Sequence, residues 1–169
     1  MYGRKKGKKL KLTTKELVLV SVCIALTVIG SMIKIPSPFG TVALDSAPAF
    51  LAAFLFGPVF GAIVAFFGHM LTALNVGMPL TVLIHLLIAT QMAIVCSIAG
   101  LIYKKGYFVL ALISGFLLNG VVAPATFIII PQFGMPFFTA MIVPLLLGVG
   151  INLAVAAIIV RTLRGRVRL

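Results

Sequence analysis

The sequence predicts an all-α integral membrane protein with six transmembrane helices and both chain ends in the cytoplasm. Hydrophobic residues make up 62% of the 169 residues and charged residues only 9%, which leaves too little polar surface for a soluble domain of this size. The apolar residues form stretches long enough for helices that cross a bilayer. The 14 Lys and Arg residues lie almost entirely in three clusters beside these stretches, which is typical of the flanks that orient a membrane protein.

The first three helices are expected in the N-terminal half of the chain. Helix one runs from about residue 15 to 33 and stops before KIPSPFG. Helix two begins at Asp45 and ends at the Gly57–Pro58 turn, and because it is short for a complete crossing we expect it to tilt or to begin inside the membrane. Helix three begins at Pro58, since proline at the first helical position loses no hydrogen bond, and ends near residue 74.

Three longer apolar segments follow, over residues 79–103, 107–130 and 136–160, separated by KKG and PQFGMP. Backbone polar groups in a bilayer must be satisfied internally, and continuous apolar stretches of this length favour helices over the alternating strands of a barrel. The predicted organisation is one membrane domain over residues 15–163 between basic cytoplasmic tails at 1–14 and 164–169.

Charge decides the expected orientation. With six helices, both chain ends share one side with the 57–58 turn and the 103–106 loop, and that side holds every Lys and Arg except Lys34. The positive-inside bias then places the chain ends in the cytoplasm. Clusters of this kind do not form a nucleic-acid-binding face, so no nucleic acid is expected as a partner.

Ionisable side chains are expected to meet in the outer half of the membrane. Asp45, the only aspartate, starts helix two, where it suits both an N-cap and a ligand contact. At 1.5 Å per residue, His69 lies about 16 Å up helix three and His85 about 9 Å below the start of helix four, so both reach the depth of Asp45. A lone histidine at this depth is also a common interhelical hydrogen-bonding group, but three ionisable residues at one level favour a binding site.

Other polar side chains extend this candidate site. Asn119 and Thr126 are seven residues apart, hence on one face of helix five, and Thr81 precedes His85 by four residues. Gln91 and Asn152 lie deeper and are interpreted as interhelical hydrogen-bonding residues. The predicted substrate-binding residues are Asp45, His69, Thr81, His85, Asn119, Thr126 and, in the loop before helix two, Phe39.

Catalysis and metal binding are not expected. Two histidines and one aspartate without an i,i+4 histidine pair do not make a metal site, and neither a Ser-His-Asp arrangement nor a phosphate-binding loop is present. Cys23 and Cys96 lie within apolar segments and do not suggest a disulfide framework. We therefore predict no enzyme activity, no cofactor, no metal and no ATP hydrolysis by this chain.

Small residues recur at a spacing of four on two helices, which allows helices to approach closely. Gly57, Gly61 and Ala65 at the start of helix three are interpreted as internal packing residues. Ser21 and Ala25 on helix one, beside the cytoplasmic basic cluster, are a candidate surface for another membrane subunit.

This short chain with six spans resembles the S components of energy-coupling factor (ECF) vitamin transporters over nearly its whole length. The resemblance rests on the six-span architecture, the basic N-terminus, a small-x-x-x-small helix one and the segments IPSPFGTVALDSAPAF and LFGPVFGAIVAFFGH. The resemblance implies a substrate-binding subunit in the cell membrane of a prokaryote that works with a membrane coupling subunit and two ABC-type ATPases. Ser21 and Ala25 match the family's alanine-x-x-x-alanine coupling motif with one serine in place of alanine.

Within that family, LDSAPAFLAAFLFGPVFGAIVAFFGHMLTAL and the later HLLIA most resemble the branch proposed to import α-ribazole, a cobalamin precursor. Several branches share the GP turn and the glycine-rich helix three, so another small heteroaromatic vitamin or pantothenate remains an alternative substrate. A facilitator or channel that acts alone is the alternative class. A channel should show polar residues through both leaflets, whereas here they become sparse toward the cytoplasmic half.

Overall fold

The computed structural model describes residues 13–37 and 40–163, which form a mostly helical bundle with one two-stranded hairpin. A π-helical turn and a 3₁₀ turn interrupt the fifth long helical segment. The elements are α1 Thr14–Gly30, β1 Lys34–Ser37, β2 Gly40–Ala43, α2 Ala47–Leu55, α3 Pro58–Asn75, α4 Val82–Lys104, α5 Phe108–Leu117, the π turn Leu118–Val122, α6 Ala123–Ala125, the 3₁₀ turn Thr126–Ile129 and α7 Gly134–Leu163.

Four helical segments are long and apolar enough to cross a membrane, over residues 58–75, 82–104, 108–129 and 134–163. Helix α1 has 17 residues and α2 only nine. The outer surface of the bundle is apolar: Leu83 is 76% exposed and Ile129 85%, as side chains that face lipid tails should be. The structure therefore supports a helical membrane protein, while six crossings and the orientation of the chain ends stay predictions.

A capping box starts helix α1. The Thr13 hydroxyl accepts a hydrogen bond from the Glu16 backbone N–H at 3.3 Å, and the Glu16 carboxylate accepts one from the Thr13 backbone N–H at 2.7 Å. Two backbone N–H groups that lack helical partners are thereby satisfied. Glu16, one of the two acidic residues in the chain, is accounted for by this local role.

Residues 34–37 and 40–43 form two paired antiparallel strands, so the expectation of an all-α fold is wrong in these residues. Lys34 pairs with Ala43 and Ser37 with Gly40. The prolines in this stretch suggest an irregular loop, yet a two-stranded ribbon leaves outer edges on which a missing N–H breaks no ladder bond. The hairpin packs on α7, where a side chain at Gly148 would overlap Val42.

Helix α2 is short but central. Ala49, Phe50, Ala52 and Ala53 have at most 1% of their surface exposed, and the helix contacts α1, α3, α4 and α7. Alanine-rich packing brings the α2 and α3 backbones together, because a β-carbon at Gly61 would lie 2.7 Å from the Cα atom of Ala53.

The small residues of helix α3 divide between two roles. Gly61 and Ala65 are buried, which confirms their interpretation as internal packing residues. Gly57 has φ of 114°, and beyond its chain neighbours no atom lies within 4 Å of the point where a β-carbon would stand. Gly57 therefore serves the turn between α2 and α3 rather than packing, which corrects its interpretation.

The fifth helical segment is not a regular helix, which corrects the prediction that Asn119 and Thr126 share a face. A π-helical turn begins at Leu118 and a 3₁₀ turn at Thr126. Since these turns wind by different angles per residue than an α-helix, two residues seven apart no longer align. Asn119 faces the inside of the bundle at the cavity described below, and Thr126 does not.

Candidate functional site

A cavity of about 180 Å³ lies between the hairpin, the start of α2, α3, α4, the π turn and α7. Apolar side chains such as Ile88, Met92 and Phe137 form much of its wall. Its polar lining residues are Asp45, Ser46, His69, Thr72, His85, Asn119 and Asn152. Four of the seven predicted substrate-binding residues, Asp45, His69, His85 and Asn119, therefore lie together. This agrees with the prediction that the first three lie at one depth in the membrane.

The two histidines contact each other directly across the α3–α4 interface. His69 Nε2 and His85 Nδ1 are 3.2 Å apart, and the ring centroids are separated by 5.4 Å. Two neutral imidazoles share one proton in such a contact, so one ring donates and the other accepts. The interpretations of these residues as an interhelical pair and as part of a binding site are thus compatible, since the pair joins two helices at the cavity wall.

Asp45 is buried, with 7% of its surface exposed, but the prediction that it caps helix α2 is wrong. Ser46 occupies the N-cap position and makes no side-chain capping bond. The amide oxygen of Asn152 on α7 instead accepts a hydrogen bond from the Ala47 backbone N–H at 2.8 Å. The carboxylate of Asp45 therefore makes no capping hydrogen bond at the start of α2.

Asn152 also donates to the Gly148 carbonyl oxygen at 2.9 Å, and it joins α7 to the start of α2, which confirms its interpretation as an interhelical hydrogen-bonding residue. Gln91 has the same role, because its Nε2 atom donates to the Thr126 hydroxyl at 2.7 Å. These two amides hold together the walls around the cavity.

Thr72 belongs to the cavity and was not predicted from the sequence. It follows His69 by three residues, which places both on one side of α3, and this spacing was the available signal. The Asp45 carboxylate is the polar group that acts on the Thr72 hydroxyl, but the two do not meet the geometry of a hydrogen bond. This hydroxyl and the Nε2 atom of His85 are the buried side-chain polar atoms without a hydrogen-bond partner among the described residues. Leaving such an atom unpaired costs about 1–3 kcal/mol, so a ligand that pairs with it recovers part of that free energy.

The remaining predicted residues lie elsewhere. The Thr81 hydroxyl accepts from the Ile84 backbone N–H at 3.3 Å and caps helix α4, and the Thr126 hydroxyl donates to the Ala123 carbonyl oxygen at 2.7 Å. Neither residue lines the cavity. Phe39 lies outside the described residues. Substrate contact by Thr81, Thr126 and Phe39 stays a prediction.

The cavity carries little charge. Asp45 is the one acidic residue among the described lining residues, and that lining includes no Lys or Arg. No group of three His, Cys, Asp or Glu side chains suitable for a metal ion occurs in the described part of the chain. The arrangement suits recognition of a neutral molecule by hydrogen bonds and apolar contact.

Helix α1 presents its small residues outward. Ser21 and Ala25 are both exposed, and the Ser21 hydroxyl donates to the Leu17 carbonyl oxygen at 2.9 Å, which satisfies it within its own helix. Val22 and Ile29 are 50% and 60% exposed nearby. The surface is thus small and apolar, as a helix–helix contact in a membrane requires.

Comparisons with known proteins agree with this architecture. A family model described as "ECF transporter, substrate-specific component" matches residues 15–164. Among solved structures, a chain from work described as "Structure and mechanism of the S component of a bacterial ECF transporter" is similar with a TM-score of 0.69 and 25% sequence identity, over 92% of this chain and 98% of that chain. No curated protein matches.

Proposed function

We propose, from the premise that this chain belongs to the family of ECF transporter substrate-specific components, that it captures a vitamin or vitamin precursor in the cavity beside the His69–His85 pair. α-Ribazole is the best candidate substrate. The observation that carries the proposal is a small, largely apolar cavity that contains uncharged hydrogen-bonding groups and two unpaired buried polar atoms.

Charge narrows the class of substrate. A molecule with several negative charges would enter a low-dielectric cavity whose described lining has no Lys or Arg, at a cost of several kcal/mol. This argues against phosphorylated vitamins and dicarboxylates. A neutral heteroaromatic compound with hydroxyl groups fits, because the apolar wall contacts the ring while Asp45 and Asn119 bond to hydroxyls. Pantothenate fits less well because of its carboxylate.

The volume of the cavity favours a ligand that also extends into a neighbouring crevice. A cavity of about 150 Å³ holds a benzene molecule, so the 180 Å³ here suits a heteroaromatic ring system but not a whole nucleoside. Leu80 also lines a second, apolar crevice of about 760 Å³ that contains Thr81. We place the ring system of the nucleoside against the apolar wall of the cavity, sugar hydroxyls at Asp45 and Asn119, and the rest of the sugar toward this crevice, where Thr81 is a contact.

Transport in this proposal requires other subunits. The chain delivers its substrate inward with a membrane coupling subunit and two ABC-type ATPases, and Ser21 and Ala25 on helix α1 form the contact with the coupling subunit. No residue of the chain is given a catalytic role.

The topology that goes with this function has six crossings and cytoplasmic chain ends, with α1 and α2 as the two short ones. Single cysteines introduced at positions 75–78 and 132–135 should react with a membrane-impermeant maleimide added outside intact cells. Cysteines at positions 104–106 should react only after the membrane is opened. Cys23 and Cys96, which are buried, are replaced with alanine in the background. Labelling of 104–106 from outside would overturn the topology.

Purified protein should bind α-ribazole in calorimetry, and His85→Ala or Asp45→Ala should each weaken binding by about 1–3 kcal/mol, or roughly 5- to 150-fold, because a polar partner is left unpaired. Thr139→Ala is the control, since Thr139 is exposed and bonds only to carbonyl oxygens of its own helix. Absence of heat with α-ribazole but saturable binding of riboflavin or pantothenate would refute the substrate and leave the transporter proposal standing.

A further inference from the structure

We propose that His69 and His85 act as one two-way hydrogen-bonding unit, which lets the site hold a neutral nitrogen heterocycle through either a donor or an acceptor atom. Thr72 supplies a second contact to the same ligand. The inference rests on the proposed function, because it concerns the same cavity. It adds a substrate class, the neutral nitrogen heterocycles, and a specificity-determining residue, Thr72.

The geometry of the pair restricts its protonation. With His69 Nε2 and His85 Nδ1 only 3.2 Å apart, a single proton lies between them when both rings are neutral. The tautomer of one ring therefore determines that of the other. His85 is 5% exposed and its Nε2 atom has no partner, so this atom is the end of the pair that is left for a ligand.

Two neutral states of the pair follow. In the first, His85 Nδ1 carries the shared proton and His85 Nε2 is a bare acceptor, while His69 is protonated at Nδ1. In the second, His69 Nε2 carries the shared proton and His85 Nε2–H is a donor, while His69 Nδ1 is bare. Conversion moves the shared proton from His85 to His69, removes a proton from His69 Nδ1 and adds one to His85 Nε2. The total number of protons and the charge are unchanged.

The two states accept complementary ligands. A ring nitrogen without hydrogen is held by the donor state, and a ring N–H is held by the acceptor state. Ile88 and Met92 lie on α4 beyond His85 and line the same cavity, so a ring bonded to His85 contacts apolar wall. The pair thus requires a polar atom on an otherwise apolar ring and does not require that atom to be of one kind.

Thr72 provides a second hydrogen-bonding group for the ligand, in addition to His85. Its hydroxyl is buried without a hydrogen-bond partner, and its residue lies one helical turn from His69 on α3. A hydroxyl both donates and accepts, so it matches the two-way character of the histidine pair. His85 and Thr72 contact the ligand, and His69 is a positioning residue that acts through His85.

The test is nuclear magnetic resonance of protein labelled with ¹⁵N-histidine, in which the chain's two histidines give two sets of ring signals. The probes are 1-methylbenzimidazole, whose free ring nitrogen only accepts, and indole, whose N–H only donates. We expect Nε2–H on His85 with the first probe and Nδ1–H with the second, and His69 should change in the same sense, to Nε2–H with the first probe and Nδ1–H with the second. The dissociation constants of the two probes should agree within about tenfold, or about 1.4 kcal/mol.

Matched variants separate positioning from folding. His69→Gln keeps a side chain that both donates and accepts, so this variant should bind both probes. His69→Leu removes the partner that sets the tautomer of His85, so it should weaken the binding of both probes. Thr72→Val removes only the hydroxyl and should weaken α-ribazole about tenfold, while Thr72→Ser should not.

Three results would contradict parts of this inference. Binding of both probes with the same His85 tautomer would overturn the two-way unit and leave the proposed function intact. Equal affinity of Thr72→Val and the unaltered protein would remove Thr72 from the site. Absence of binding by both probes and by α-ribazole would overturn the proposed function and this inference with it.

Discussion

Replacing Ser21 or Ala25 with tryptophan is expected to abolish substrate uptake while leaving substrate binding unchanged. Both residues are exposed on α1, outside the cavity, and their small side chains allow the backbone of another transmembrane helix to approach closely. A bulky indole at either position separates the two helices, so the coupling subunit cannot engage. Binding persists because α1 contributes no described residue to the cavity wall.

Uptake of labelled substrate by cells, co-purification with the coupling subunit and calorimetry of the purified variant measure the three parts of this prediction. Ile94→Trp is the control, because Ile94 is 54% exposed and belongs to α4 rather than to α1. It should transport normally. Ser21→Trp and Ala25→Trp variants that co-purify with the coupling subunit and transport at the normal rate would show that α1 is not the docking surface.

Gly61→Ala is expected to destabilise the protein by about 1–3 kcal/mol, since overfilling a close-packed core forces backbone shifts. The new methyl group would collide with the Ala53 side chain and lie 2.7 Å from its Cα atom. The α4 backbone is also close to Ala53, since a β-carbon at Gly100 would lie 3.0 Å from the Ala53 carbonyl oxygen, and this limits the room into which α2 can shift. The substitution therefore disturbs packing at the centre of the bundle, which is why a loss of stability is expected.

Gly150→Ala is the matched control, as the same change in a helix. A β-carbon at Gly150 would lie 3.6 Å from the Phe116 ring, an ordinary contact, and alanine is the better helix former by about 1 kcal/mol. Thermal unfolding followed by circular dichroism, with size-exclusion chromatography after heating, should show a lower midpoint for Gly61→Ala and an equal or higher one for Gly150→Ala. Equal midpoints for the two variants would contradict the close α2–α3 packing.

Much of this protein was determined by its sequence alone. The apolar composition and the lengths of the apolar segments predict a helical membrane protein, because each backbone group in a bilayer needs a partner within its own element. The constant rise of an α-helix places His69 and His85 at one depth, and the structure joins them at 3.2 Å. The spacing of Gly61 and Ala65 likewise predicts their burial. These properties depend on local composition and on helical geometry.

Other features depend on which elements meet, and only the tertiary structure decided them. Asp45 does not cap α2, because Asn152, more than 100 residues away in the chain, accepts the hydrogen bond from the Ala47 N–H instead. The strands at residues 34–37 and 40–43 pair although prolines in this part of the sequence suggest a loop, and they pack on α7.

Two residues near the cavity, Asn119 and Thr72, also have positions that only the tertiary structure decided. The π turn brings Asn119 to the cavity and leaves Thr126 away from it. Helical periodicity in the sequence does not predict this turn, because it assumes a constant angle per residue. In the sequence Thr72 is an ordinary residue of an apolar helix, and only the packing around it leaves its hydroxyl buried without a partner. Hydrogen bonding in a membrane protein is satisfied across helices as well as along them, and partners across helices are set by three-dimensional packing rather than by spacing in the sequence.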